Sequence, residues 1–124
     1  MVRCRTLVAI GVVGLIVMLA GCGAGEKPSG DVHKGPAGAG AVQVVMQDSS
    51  FQPTVLRVPA GSAVTLEVRN DGQKSHNLTI DGLHVSTGPM HHGDVMTVRL
   101  TAPKGTLQFR CTWHQAMVGQ IVAS

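Results

Sequence analysis

From Ala41 onward the chain alternates in a period of two: Val42, Val44 and Met46 fall on one side, and Gln43, Val45 and Gln47 on the other. That is the mark of a strand buried on one face. The same reading predicts strands over residues 54–58, 63–69 with Val64, Leu66 and Val68 on one face, 76–80, 95–101, 106–111 and 118–123. Pro59-Ala60-Gly61, Asn70-Asp71-Gly72 and Ala102-Pro103-Lys104-Gly105 supply the turn residues between them. No stretch of this region keeps helical spacing over three turns, which disfavours an α/β architecture. The expectation is an all-β protein: a Greek-key β-sandwich of about seven to eight short strands. The side chains suit it, since Val, Ala and Gly abound, Tyr is absent, and Phe51, Phe109 and Trp113 are the large aromatics.

Upstream the pattern changes twice. Residues 23–40 repeat Gly, Ala and Pro with almost nothing to bury, and read as a flexible tether in which His33 is a solvated residue. Before them, a short basic start with Arg3 and Arg5 precedes an uncharged apolar run from Leu7 to Ala20. At 14 residues that run is too short to span a bilayer core, which takes roughly 20, and it reads as a secretory signal peptide over residues 1–21. Leu19-Ala20-Gly21-Cys22 at its end resembles the bacterial lipobox, which implies acylation of Cys22 and cleavage just before it. Residues 22–40 are then the lipidated cysteine and tether, and residues 41–124 the folded domain. Such a protein is exported and held to a membrane through Cys22, facing the periplasm or the cell exterior.

Removal of Arg3 and Arg5 brings the basic residues close to balance with the seven acidic ones. Arg57, Arg69, Lys74, Arg99, Lys104 and Arg110 are scattered singly, whereas a nucleic-acid binder gathers its cations on one face, so nucleic acid is set aside. Three cysteines, Cys4, Cys22 and Cys111, make no disulfide framework. With Cys4 in the leader and Cys22 acylated, Cys111 remains for chemistry.

Cys111-Thr-Trp-His114-Gln-Ala-Met117 places a thiolate, an imidazole and a thioether within seven residues at the end of a predicted strand. These are donors that copper favours, and two His, one Cys and a weak axial Met define the blue-copper electron-transfer site. The second imidazole must come from another loop. His76 is the best supplier, because it follows the turn at 70–75 and opens a strand at a sheet end. Two loops at one end of a rigid sandwich can hold such ligands in fixed positions.

At this point residues 41–124 resemble the cupredoxin family. The resemblance rests on Phe51 through Gly61, which match the family's second-strand opening, on Ser75-His76-Asn77-Leu78, which match its first-ligand segment, and on Cys111 through Gly119, which match its ligand loop. Two residues between Cys111 and His114 and two between His114 and Met117 give the short loop of amicyanins, and Met117 through Ile121 resemble the closing strand of plastocyanins. The resemblance implies one copper ion held by His76, Cys111, His114 and Met117, and a one-electron carrier that is not an enzyme, works as a monomer and meets its redox partners near His114. It also implies that Asn77 pins the ligand loop. Trp113 departs from the family, where Pro is usual; it either packs at the domain end or offers its amide to the Cys111 sulfur and so favours reduced copper. A competing function is copper storage or delivery, with Met90-His91-His92 as a loading patch, against the plainer reading of that segment as a polar loop. His84 and Met96 are read as structural.

Overall fold

The computed structural model describes residues 29–124. The signal peptide, Cys22 and the first part of the tether lie outside the described residues. Two five-stranded sheets face each other. One contains β1 (Ser29–Lys34), β8 (Val95–Thr101), β5 (Ala63–Asn70), β2 (Val42–Met46) and β3 (Phe51–Gln52), in that order; the other contains β4 (Val55–Val58), β10 (Val118–Ala123), β9 (Gly105–Arg110), β6 (Thr79–Ile80) and β7 (Val85–Ser86). The one helical turn among the described residues is a 3₁₀ turn, Asp81–Leu83. The all-β sandwich is thus as the alternation predicts, and β8 and β10 run over the predicted residues. β2 pairs with β5, and β4 with β10, in parallel, which ties the first half of the chain into both sheets.

The alternating residues meet in one core. Val44, Met46, Leu66, Val68 and Val98 from one sheet and Leu56, Ile80, Phe109 and Ile121 from the other are all buried. At its centre Phe51 and Phe109 meet edge to face, with ring centroids 5.0 Å apart and planes at 75°, a favoured aromatic geometry. Gly119 stands opposite Phe109 in the β9–β10 ladder, and a Cβ at 119 would run into the Phe109 ring. Gly119→Ala is therefore expected to overpack the core and lower stability by about 1 to 3 kcal/mol, read as a lower urea midpoint.

Two sequence expectations need correction. The stretch read as a tether through Gly40 contains β1, which pairs antiparallel with β8 from Ser29↔Thr101 to Lys34↔Met96. Composition hid it because an edge strand needs backbone partners more than buried side chains; Val32 alone of its residues packs on the core. Its glycine is a packing residue, since a Cβ at Gly30 would strike Val85. The strand predicted over 76–80 shrinks to Thr79–Ile80. His76 instead makes an isolated bridge to Met90, and Leu78 binds Thr87 through both its N–H, donated to Thr87 Oγ1, and its C=O.

The ladders give the sandwich two unlike ends. The C-terminal ends of β5 and β9 and the start of β10 lie with the start of β8 at one pole. Ser29, Ala63, Thr101 and Ala123 lie towards the other, where Ala60 donates to Ser124 O and Gly61 to Ala102 O.

Candidate metal centre

β9 ends at Arg110, and Cys111 begins a tight loop into β10. The Cys111 N–H donates to Met117 O at 3.0 Å and the Met117 N–H donates to His114 O at 2.9 Å. These two bonds fold the loop back on itself, so Cys111, His114 and Met117 are held by backbone rather than by side-chain packing alone. Cys111 and Met117 are buried, while His114 is partly exposed.

His76 comes from the other sheet connection. Its N–H donates to Met90 O at 3.0 Å and its C=O accepts from the Met90 N–H at 2.8 Å. Met90 is in turn fixed by Asn70, whose buried amide donates to Met90 O at 2.7 Å and to Lys74 O at 2.9 Å while its Oδ1 accepts from Gly72 N–H. The result is a fully buried imidazole whose Nδ1 lies 3.2 Å from His114 Nδ1 and 4.0 Å from Cys111 Sγ; His114 Nδ1 lies 3.4 Å from the same sulfur. His76, Cys111 and His114 are the one cluster of potential metal ligands of this kind among the described residues.

The chemistry of this donor set fits a soft, monovalent-to-divalent metal. Two imidazole nitrogens that face each other can make a hydrogen bond only if one carries a proton, and the thiol beside them is a donor once deprotonated. A cation among the three atoms would satisfy all of them at once, and an S,N,N set with the Met117 thioether on the same loop is one that copper favours.

The surroundings fix the ligand orientations. Asn77 exchanges two hydrogen bonds with Thr112, Nδ2 donating to Oγ1 and Oδ1 accepting the Thr112 N–H, both at 2.8 Å, and so links the two ligand-bearing loops. Asp48 is a residue that sequence reasoning missed: its Oδ1 lies 3.4 Å from His76 Nε2 and accepts the Lys74 N–H at 2.9 Å. That backbone hydrogen bond holds the Asp48 carboxyl below the usual carboxylate range, with the His76 contact adding to it against partial desolvation. A carboxylate on the far nitrogen of a ligating imidazole sets its tautomer. In the sequence Asp48-Ser49-Ser50 signals only a turn.

Trp113 is 52% exposed. The hydrogen-bond contacts of Cys111 Sγ run to the two imidazoles, and none comes from the Trp113 amide among the described residues. Met90, His91 and His92 do not share one surface: Met90 is fully buried, His91 pairs with Asp94, and His92 contacts Gly72 O at 3.0 Å. His84 caps the 3₁₀ turn in a left-handed conformation, and Met96 packs partly buried on the core.

The cupredoxin-like domain family matches residues 11–123. The chain belongs to that family. No curated protein matches it. Among solved structures the cupredoxin is similar to amicyanin from Paracoccus versutus (TM-score 0.64, 16% identity, covering 79% of this chain and 100% of that one). A reduced Cu(I) form of an amicyanin variant at pH 4 is similar to the same degree (TM-score 0.64, 17% identity, 77% of this chain and 99% of that one), as is the reduced state of another variant (TM-score 0.62, 20% identity, 77% and 99%). At these identities the likeness is one of fold.

Proposed function

We propose that this cupredoxin binds a single copper ion through His76 Nδ1, Cys111 Sγ and His114 Nδ1, with the Met117 thioether as a further, weaker donor, and carries one electron at a time between partners outside the cytoplasm. The observation that carries the reading is the convergence of one thiol and two imidazole Nδ1 atoms, drawn from two separate loops, at one pole of a rigid sandwich. Copper, when bound, supplies the one-electron couple between Cu(II) and Cu(I).

The chain's own residues do the rest. The Asn70–Met90–His76 hydrogen bonds and the Asn77–Thr112 pair hold both loops still, so the donors need not rearrange when the charge between them changes. Burial of His76, Cys111 and Met117 keeps bulk water from these three donors. The partly exposed His114 leaves one edge at the surface, beside the exposed Trp113, and that edge is where partners dock and electrons pass. We further read the protein as a monomer without enzymatic chemistry of its own, exported and held to the membrane by acylated Cys22.

Adding Cu(II) to purified residues 29–124 tests the centre: an intense visible thiolate-to-copper band and the narrow copper hyperfine splitting of a type 1 site in electron paramagnetic resonance are expected, and a colourless complex would refute it. Met117→Gln is expected to retain the site and lower its reduction potential, because an amide oxygen is a harder donor that favours Cu(II). Cyclic voltammetry of the two proteins reads the shift directly; identical potentials would show that Met117 is not a donor.

A further inference from the structure

We infer that β1 restricts the orientation of the anchored domain, opposing the upright pose in which the donor cluster and Trp113 face the membrane and so favouring partners that approach from the aqueous side. The inference rests on acylation of Cys22 as proposed above, and on where the first described strand begins and runs.

Ser29 pairs with Thr101 at the pole opposite the donor cluster, and β1 then runs along β8 to Lys34↔Met96, towards the cluster. The start of β8 belongs to the metal pole, because Asn70 N–H donates to Asp94 O and the Asn70 amide holds Met90 against His76. The anchoring residue therefore joins the domain at its far end. The seven strand residues Val95–Thr101 put about 20 Å between the poles.

Ser29 is seven residues on from Cys22. That length cannot exceed about 25 Å fully extended. For the domain to stand upright with its metal pole on the bilayer, Ser29 must lie at least the sandwich length above it, close to the full reach of those seven residues. With the domain upright on its Ser29 pole, no such stretch is needed and the metal pole faces water. Had residues 23–40 all been free, as composition suggests, the longer connection would have let the domain turn over. The ladder of β1 on β8 removes that freedom.

Trp113 makes the orientation measurable, since it is the single tryptophan of the chain and stands half-exposed in the ligand loop. The full-length, metal-free lipoprotein is reconstituted into phosphatidylcholine vesicles, and Trp113 fluorescence is quenched either by acrylamide in the water or by lipids carrying a nitroxide on the headgroup. Efficient quenching by acrylamide and little by the lipid is expected. Two variants should raise the lipid quenching: an insertion of about 12 Gly/Ser residues between Pro28 and Ser29, which more than doubles the length of the connection, and Val32→Pro combined with His33→Pro. Neighbouring residues of an edge strand point their N–H groups to opposite sides, so one of these two prolines must delete a bond to β8.

Strong lipid quenching of the vesicle-bound wild-type protein overturns the inference while leaving the anchor standing. Failure of the protein to sediment with vesicles overturns the anchor and the inference together, and mass spectrometry of the mature N-terminus identifies that case. Lipid quenching of the insertion variant as weak as that of the wild type overturns the role given to β1.

Discussion

Cys111→Ser is expected to abolish the visible charge-transfer band of the copper-loaded protein while leaving the fold in place. The band requires a filled sulfur orbital bonded to Cu(II), and a serine oxygen has no comparable low-energy donor level. The fold should tolerate the change because the Cys111 backbone, not its side chain, closes the loop through Met117 O. Burying a hydroxyl at a site that is 2% exposed costs about 1 to 3 kcal/mol, partly offset by its contacts with the two imidazoles. Circular dichroism should match the wild type, and a copper-loaded Cys111→Ser protein that stays blue would sink the centre proposed here.

The second large effect is expected at a residue that holds no metal. Asn70→Ala removes donors from Met90 O and Lys74 O and the acceptor of the Gly72 N–H. Each buried group left without a partner costs about 1 to 3 kcal/mol. The Met90 carbonyl keeps the His76 N–H, the Gly72 N–H keeps Met46 O, and Lys74 lies near solvent, so the sum should come to about 1 to 3 kcal/mol. Urea denaturation should show a lower midpoint with an unchanged slope. Because Met90 is the backbone partner of His76, copper affinity should also fall, by roughly 10- to 100-fold as for other residues that orient a ligand. Asn70→Asp separates size from hydrogen bonding: it keeps the shape and the Gly72 acceptor but turns an oxygen towards two carbonyl oxygens. It should be at least as unstable as Asn70→Ala. A harmless Asn70→Ala would mean that the loops at 71–75 and 90–94 are held by something else.

The sandwich was legible because half-buried strands write their burial into the sequence at period two, as in Val64, Leu66 and Val68. The donor set was legible because Cys111, His114 and Met117 sit on one short loop, and the position of His76 after a turn singled it out. What surrounds those donors was not. Asn70 reads as a turn former in Asn70-Asp71-Gly72, yet its side chain is a buried hub joining residues far apart in sequence, and nothing local reports its bond to Met90. Asp48 is likewise recruited to His76 across 28 positions. β1 was missed for the opposite reason: its stability lies in hydrogen bonds to β8 that nearly every residue type can make, so its glycine and its polar side chains carry no trace of it.

That last strand also bears on where the folding unit can be cut. A chain beginning at Ala41 would keep every residue that alternation marks as strand, and would leave β8 as the edge of its sheet with Val98 and Leu100 beneath it. An uncovered row of backbone donors and acceptors is a template for a strand from another molecule. Such a shortened protein should self-associate as its concentration rises, with Ser29–Lys34 supplied as a free peptide competing for the same edge; solubility, more than stability, is what these six residues protect.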